Sequence, residues 1–347
     1  MLRVRNETVS IRYLQLSEIP FVQVRRKSDG MLIGCCGFSE LAVDARASVA
    51  AVPRGWHQRA EAPAAAIGVR PMDQQEYLSL EKQSYSLASG VRAAPRLSLL
   101  NEIFGSASQE LLTQVGLRSG QRVAEIGCGT GLMTRWIAQQ VGPEGSVYGI
   151  DISDAQLAIA SENASSVSSR NIYFREAPAD ATGLPRGSFD VVYSRFLMCH
   201  LLHPDSALRE MWALLSDGGV LVCEDFEMSA VSTRPPTPSY DQLLRVSRAL
   251  DERDAVDSDI GAKLHTLFID NGCGNPEVSV YEPAFLRGEL KHFWRITLEE
   301  AAPTILGSRI ATAEEISSLC EQLGNIARND SILLIVARVY QVWSRKT

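Results

Sequence analysis

Residues 123–131 read Val-Ala-Glu-Ile-Gly-Cys-Gly-Thr-Gly, an apolar run that passes directly into a loop with glycine at every second position. Glycine lets a backbone turn sharply from a strand into a helix, and it lets a ligand lie against the main chain without a Cβ atom in the way. The N–H groups at the start of the following helix then face that ligand. The stretch predicts a strand, a nucleotide-type cradle and a helix, in this order.

Three carboxylates stand at spacings that place them beside this loop. Glu125 precedes Gly127 by two residues, at the end of the predicted strand. Asp151 ends the next apolar run, 20 residues after Gly131, where a carboxylate can accept hydrogen bonds from both hydroxyls of a ribose. Asp180 follows the third apolar run and is expected to reach the same crevice. The pattern predicts a site for a nucleoside.

A nicotinamide dinucleotide site is the alternative, because its G-x-G-x-x-G loop also follows a strand and is also followed by an acid about 20 residues later. Counted from Gly127, the third small position of that motif falls at Leu132, which is neither glycine nor alanine. This departure counts against a pyrophosphate site.

Strand-length apolar runs alternate with helix-period segments from about residue 119 onward. The predicted strands are 122–126, 146–152, 171–176, 189–194, 219–225, 277–281 and 331–342. The predicted helices are 130–141, 204–215, 240–249, 288–300 and 313–327. Alternation of strand and helix indicates an α/β fold in which helices cover both faces of a parallel sheet.

Five motifs in a fixed order resemble those of class I S-adenosylmethionine-dependent methyltransferases. They are Glu125-x-Gly-x-Gly-x-Gly131, Gly149-Ile-Asp151-Ile-Ser, Ala179-Asp180-Ala, Phe189-Asp190-Val-Val-Tyr-Ser-Arg and Gly218-Gly-Val-Leu. The closest likeness is to the small-molecule and quinone C-methylase-like branches. It covers about residues 72–347 and is dense in 119–226. The order of the motifs is specific, whereas each motif alone is not.

The resemblance implies a doubly wound, Rossmann-like sheet of seven mostly parallel strands, with the seventh antiparallel and with helical lid insertions. It also implies S-adenosylmethionine as the cofactor, with the glycine loop on its methionine part, Asp151 on its ribose, and Asp180 with Ala181 on the adenine edge. The expected cofactor-binding residues are Glu125, Gly127, Cys128, Gly129, Gly131, Asp151, Ile152, Asp180, Ala181, Ser194 and Arg195. No metal site is expected.

Transfer of a sulfonium methyl group leaves few marks in a sequence, since the protein contributes mainly alignment and exclusion of water. A general base is needed only for a protonated hydroxyl or amine acceptor. His200 and His203, one helical turn apart, are the candidates for it. The alternative is that His200 packs beside the sheet and His203 caps the helix that begins at Pro204, and this interpretation is preferred.

Two long connections, 226–259 and 281–330, are predicted to lie over the site as lids. Aromatic residues of the second connection are candidate substrate walls or lid packing: Phe285, His292, Phe293 and Trp294. Tyr77 and Tyr85 lie in a predicted N-terminal lid, where they contact the methionine end or make plain hydrophobic contacts. An apolar, roofed pocket suits a small metabolite better than a folded RNA or protein.

Charge and composition limit the class of partner. The chain has 347 residues, of which 45% are hydrophobic, and a net charge of −7. It therefore has no overall field to attract phosphate backbones, and a nucleic-acid partner is not expected. The apolar runs are too short to span a membrane. Seven cysteines without a C-x-x-C spacing favour reduced thiols in a cytoplasmic protein.

The chain is predicted to divide unevenly. Residues 1–71 carry a net charge of +4 and are interpreted as a disordered leader or linker, 72–118 as an N-terminal helical lid, 119–226 as the cofactor-binding core, and 227–347 as C-terminal strands plus substrate lids. The predicted function is methyl transfer to a small-molecule acceptor by in-line displacement. An RNA or protein methyltransferase and a catalytically inactive cofactor-binding regulatory protein remain alternatives.

Overall fold

A computed structural model describes residues 92–165 and 171–347, Leu87, and the backbone of four strands within residues 3–37. The chain divides into two compact units, Met1–Ser79 and Leu80–Thr347. Tyr77 and Tyr85 lie outside the described residues. None of the helices in the described ranges combines the length and the apolar character that crossing a bilayer requires.

The first unit contains a four-stranded antiparallel sheet. Its strands are β1 (Arg3–Val4), β2 (Glu7–Leu16), β3 (Ile19–Arg26) and β4 (Leu32–Gly37), paired in chain order. These strands differ from the disordered leader predicted for residues 1–71. The missed signal is the alternation of Val9, Ile11 and Tyr13 with polar residues in β2, a period that is typical of a strand. The functional division of the chain stays a prediction.

The second unit alternates strands and helices as predicted. Its strands are β5 (Arg122–Ile126), β6 (Ser146–Asp151), β7 (Ile172–Glu176), β8 (Phe189–Arg195), β9 (Leu215–Glu227), β10 (Ser232–Arg234), β11 (Glu277–Tyr281), β12 (Ala284–Phe285), β13 (Leu333–Ile335) and β14 (Arg338–Arg345). Its helices are α1 (Ala94–Gln114), α2 (Leu132–Val141), α3 (Asp154–Ser165), α4 (Pro204–Leu214), α5 (Pro238–Asp254), α6 (Leu264–Asp270), α7 (Phe293–Gly307) and α8 (Ala313–Ala327).

Seven strands form the main sheet, in the order β11-β14-β9-β8-β5-β6-β7. The five strands from β9 to β7 run parallel, and β14 pairs antiparallel with both β9 and β11. In chain order β14 is the seventh strand of this sheet. The fold prediction is therefore confirmed, including the antiparallel seventh strand.

Helices cover both faces of the sheet because its strands are apolar on both sides. Successive residues of β5 alternate between two core clusters: Val123 packs with Met133 and Ile137 of α2, whereas Ala124 packs with Met211 of α4. A third cluster joins α1, α5, α7 and α8, the helices that lie outside the strand-helix alternation. α5, α7 and α8 lie in the two connections where helical insertions were predicted, and α1 lies in the predicted N-terminal helical segment.

The segment predicted as a single strand over 331–342 is broken in two. β13 pairs with β10 and β12 in a separate three-stranded sheet, whereas β14 enters the main sheet. The break lies at Val336 and Ala337, both buried, and the Val336 carbonyl accepts a hydrogen bond of 2.8 Å from Trp294 Nε1. A continuous apolar run conceals such a change of sheet because both halves are buried.

Candidate functional site

The glycine loop connects β5 to α2 and has a left-handed backbone at three positions. Gly127, Gly129 and Gly131 have φ values of +76°, +53° and +72°, a region that favours glycine. The N–H groups of Gly127 and Cys128 both donate to the Ile150 carbonyl, at 2.8 and 3.0 Å. The loop is thereby tied to the end of β6, the neighbouring parallel strand.

Asp151 ends β6 and fixes the two loops that form the crevice. Its Oδ2 accepts a hydrogen bond of 2.8 Å from the Gly129 N–H, and its Oδ1 accepts one of 2.9 Å from the Ser153 N–H. A carboxylate oxygen can accept more than one hydrogen bond, so binding of the two loops does not exclude a ligand. Asp151 thus shapes the site and also presents a charge to it.

A cavity of about 360 Å³ lies at the carboxyl ends of the parallel strands, and we call it the larger cavity. Seven of the predicted cofactor-binding residues line it: Glu125, Gly127, Cys128, Gly129, Asp151, Ile152 and Arg195. Four others do not: Gly131, Asp180, Ala181 and Ser194. Four residues that no sequence motif indicates also line it: Leu97, Leu100, Thr130 and Gln156. The assignment of all these residues to a cofactor stays a prediction.

Gly131 serves the packing of the loop and does not face the larger cavity. A Cβ atom at this position would lie 2.9 Å from the Ala160 Cβ and 3.3 Å from the Ala160 Cα. Gly129 differs, since a Cβ atom there meets only Leu97 Cδ1, at 3.9 Å. Gly131 therefore allows α3 to approach the loop, whereas Gly129 leaves the ligand side open.

Glu125 is buried beneath the loop and accepts a hydrogen bond from the Thr134 hydroxyl. Burial raises its pKa to about 7, against the opposing effects of the Thr134 hydrogen bond and of the Arg195 charge. Asp225, at the end of β9, is also fully buried, and burial raises its pKa to about 7. Its Oδ2 accepts the Cys199 N–H at 3.2 Å, which holds the turn that carries His200.

The raised pKa values of Glu125 and Asp225 make the stability of the ligand-free protein depend on pH. Because their pKa values are higher in the folded than in the unfolded state, the native state binds more protons between about pH 4 and pH 7. Stability is therefore expected to fall as the pH rises from 5 to 7, by up to about 1.4 kcal/mol per pH unit for each group, and to level off above pH 7. Glu125→Gln is expected to reduce that slope.

Urea unfolding of wild type and Glu125→Gln at pH 5, 6, 7 and 8 measures the effect. Glu144→Gln is the matched control, since Glu144 is exposed, and it is expected to keep the wild-type slope. A Glu125→Gln slope equal to that of wild type would contradict the assignment.

Arg195 is the last residue of β8, and its side chain is hydrogen-bonded to α1. Its Nη1 donates to Ser108 Oγ at 3.1 Å and its Nη2 donates to Asn101 Oδ1 at 2.9 Å. The guanidinium also lies 5.6 Å from the centre of the Phe196 ring. Arg195 is therefore an anchored positive charge in the wall of the larger cavity.

A smaller cavity of about 110 Å³ adjoins the larger one. The two share Leu87, His200, Phe226, Trp294 and Thr297. The remaining wall of the smaller cavity is mainly aliphatic and comes from α5, α7 and the turn that follows β9: Met228, Leu243, Val246, Leu250, Leu298, Ala301 and Ile305. Of the predicted aromatic substrate walls, Phe293 and Trp294 line the cavities, and Phe285 and His292 do not.

The two candidate histidines occupy different places. His200 faces both cavities, and the surrounding protein atoms desolvate it enough to lower its pKa to about 4. It is therefore neutral at physiological pH. His203 lines neither cavity and stands at the N-cap of α4, where its side chain makes no capping hydrogen bond.

In the described ranges, no group of three His, Cys, Asp or Glu side chains is arranged to hold a metal ion. The larger cavity offers the carboxyl groups of Glu125, Asp151 and Asp154, the anchored guanidinium of Arg195 and an open glycine backbone. Its volume is within the range of about 300–1,000 Å³ that is usual for small-molecule sites.

Comparison with known families agrees with this geometry. Residues 124–223 match the sequence profile of the family described as methyltransferase domain. The chain contains a methyltransferase domain over these residues. The resemblance to S-adenosylmethionine-dependent methyltransferases, recognised from the five motifs, is confirmed. The residues of the larger cavity fit S-adenosylmethionine, since Asp151 suits a ribose, and Glu125 and Arg195 suit the charged groups of an amino acid.

Two curated relatives show which branch the methyltransferase domain resembles. The ubiquinone/menaquinone biosynthesis C-methyltransferase UbiE of Ectopseudomonas mendocina (strain ymp) is 32% identical over 139 residues, 38% of this chain and 54% of the relative. The demethylmenaquinone methyltransferase of Lactococcus lactis subsp. lactis (strain IL1403) is 30% identical over 135 residues, 39% and 51% respectively. The chain thus spans about half the length of the curated relatives it matches, and the likeness to quinone C-methylases is confirmed.

Among solved structures, the YcgJ protein of Bacillus subtilis aligns with a TM-score of 0.47 at 18% identity, covering 69% of this chain and 97% of that one.

Proposed function

We propose that the protein transfers a methyl group from S-adenosylmethionine to a small, largely apolar acceptor. The observation that carries this proposal is the pair of adjoining cavities. The larger cavity has carboxyl groups in its wall, and the smaller cavity is lined mainly by aliphatic side chains. An engineered apolar cavity of about 150 Å³ binds benzene. The smaller cavity, at about 110 Å³, therefore suits a short aliphatic branch or part of one ring.

When bound, S-adenosylmethionine supplies a sulfonium methyl group, whose in-line transfer needs neither a metal ion nor a covalent enzyme intermediate. The chain contributes binding and alignment. In this proposal Asp151 accepts hydrogen bonds from the ribose hydroxyls, and Glu125 and Arg195 face the charged amino-acid end. Phe226 and Trp294, which line both cavities, exclude water from the space between them.

His200 is the candidate for orienting the acceptor. It lies where the two cavities adjoin, whereas His203 lines neither. A neutral imidazole can accept a hydrogen bond from an acceptor hydroxyl, but a pKa of about 4 makes it a weak base. We therefore assign His200 a positioning role and favour acceptors that do not depend on strong general-base catalysis, including an activated carbon.

The two rival functions lack a supporting observation. An inactive cofactor-binding regulator would have an occluded pocket, whereas two cavities adjoin here. An RNA or protein methyltransferase would have a basic patch, whereas the residues after 71 carry a net charge of −11. We also propose a cytoplasmic location, which the free thiols of Cys128, Cys199, Cys223, Cys273 and Cys320 support.

The decisive experiment has two parts. Calorimetric titration with S-adenosylhomocysteine and with NAD(P) is expected to detect binding of the first alone, and the converse result would refute the proposal. A metabolite screen with methyl-labelled S-adenosylmethionine, read by product mass, then identifies the acceptor.

A substitution in the smaller cavity tests the acceptor site. Ala301 is buried in α7 and lines only the smaller cavity. We expect Ala301→Leu to raise the KM for the acceptor at least tenfold, since the added atoms occupy its space, while S-adenosylhomocysteine affinity stays within twofold of wild type. Ala158→Leu, at an exposed position of α3, is the control. An unchanged KM in Ala301→Leu would place the acceptor elsewhere.

A further inference from the structure

Glu224 is a buried carboxylate on β9, and the two neighbouring strands hold it in place. The residue is 1% exposed. Its Oε1 accepts a hydrogen bond of 2.6 Å from the Tyr193 hydroxyl of β8, and its Oε2 accepts one of 2.8 Å from Gln341 Nε2 of β14. Burial and the charge of Glu224 raise the pKa of Tyr193 well above its ordinary value, so the phenol stays protonated and donates. Each carboxylate oxygen thus has a donor of its own.

Arg195 stands beside Glu224 in the sheet but is bonded elsewhere. The two residues are register partners in the parallel pairing of β8 with β9, so their side chains leave the same face of strands that lie about 4.8 Å apart. The Arg195 guanidinium donates instead to neutral oxygens of α1, on Asn101 and Ser108. Within the part of the chain that the structure describes, Arg195 and Glu224 form no ion pair with each other. The charge in the cavity wall is therefore kept apart from the adjacent carboxylate.

This separation requires an opposing interaction, because a guanidinium and a carboxylate attract each other strongly where water is excluded. A bidentate pair of Arg195 with Glu224 would use donors that an anionic ligand in the larger cavity needs. The hydrogen bonds from Tyr193 and Gln341 oppose such a pair, since breaking them would leave two buried donors without acceptors. These bonds hold Glu224 back from Arg195.

We propose that Tyr193 and Gln341 are positioning residues, which prevent Glu224 from occupying Arg195 and so keep Arg195 available to the carboxylate of the cofactor. The inference rests on the proposed function, in which Arg195 faces the charged amino-acid end. Loss of either donor frees one carboxylate oxygen of Glu224, and the guanidinium on the adjacent strand can replace that donor. The resulting internal ion pair competes with the ligand.

A binding experiment with two ligands tests this competition. S-adenosylhomocysteine carries the amino-acid carboxylate, whereas methylthioadenosine has the same nucleoside and sulfur without it. The variants are Tyr193→Phe, Glu224→Gln and the double variant Tyr193→Phe/Glu224→Gln, with Tyr173→Phe, at an exposed position of β7, as the control. Gln341→Met, alone and with Glu224→Gln, repeats the test on the other oxygen. Isothermal titration gives the affinities, and thermal unfolding shows that each variant is folded.

We expect Tyr193→Phe and Gln341→Met to bind S-adenosylhomocysteine about tenfold or more weakly than wild type, and methylthioadenosine within about twofold of wild type. Glu224→Gln, alone or in a double variant, is expected to bind S-adenosylhomocysteine within about threefold of wild type, since no carboxylate is left to compete. Tyr173→Phe is expected to match wild type. A packing defect alone would not be repaired by a second buried substitution, so this recovery distinguishes positioning from plain structural support.

Three results would overturn the inference alone: wild-type affinity in Tyr193→Phe, a double variant as weak as Tyr193→Phe, or an equal loss of affinity for both ligands. If Tyr193→Phe does not fold, the same criteria are applied to Gln341→Met and its double variant. Failure of wild type to bind S-adenosylhomocysteine would overturn the proposed function together with the inference.

Discussion

Asp151→Ala is expected to weaken the binding of S-adenosylhomocysteine by about 100-fold or more. The carboxylate is expected to bind the ribose hydroxyls, and it also accepts the N–H groups of Gly129 and Ser153. Hydrogen bonds to a charged group contribute about 1.5–3 kcal/mol each, so losing two of them to the ligand is enough for this effect. Release of the glycine loop adds to it. Isothermal titration of both proteins measures the change.

Two further variants serve as comparisons for Asp151→Ala. Asp154→Ala removes a carboxylate at the start of α3 that also lines the larger cavity, and it is expected to change affinity by less than about threefold. Asp151→Asn keeps one acceptor oxygen and is expected to fall between wild type and Asp151→Ala. Undiminished affinity in Asp151→Ala would show that the ribose lies elsewhere.

Gly131→Ala is expected to destabilise the fold by about 3 kcal/mol or more. A left-handed φ of +72° costs a non-glycine residue about 1–2 kcal/mol. The new methyl group would also lie 2.9 Å from the Ala160 Cβ, so α3 would have to move away from the loop. Urea unfolding of the ligand-free protein measures the loss.

Gly129→Ala is the matched comparison on the same loop. Its φ of +53° carries a similar backbone cost, but its methyl group would meet only Leu97, at 3.9 Å. We expect a smaller loss of stability, of about 1–2 kcal/mol, and a larger loss of S-adenosylhomocysteine affinity, because this methyl group faces the ligand side. The reverse order of the two stabilities would contradict the packing role of Gly131.

The loop, its strand and Asp151 were predictable because the signals that determine them are local. The glycines from Gly127 to Gly131 stand where left-handed backbone is needed, and parallel strands end at one edge of the sheet. The order of strands across the sheet is non-local and is not encoded in the period of any one segment. The resemblance to a known family, and not the pattern of residues, gave the antiparallel seventh strand.

The features that the sequence did not reveal depend on contacts distant in the chain. Arg195 is anchored by Asn101, 94 residues away, so no local pattern distinguishes it from a solvated arginine. Gln156 looks like an ordinary polar helix residue until its burial in the cavity wall is known. The break between β13 and β14 falls inside a buried apolar run, where periodicity is uninformative.

The position of β14 between β9 and β11 also determines when the site can form during synthesis. A ribosome makes both neighbours first, so the edge of β9 stays unpaired until residues 338–345 have emerged. Unpaired apolar edges promote association with other chains. We therefore expect a nascent chain halted before residue 338 to need a chaperone, although every predicted cofactor residue has already been translated.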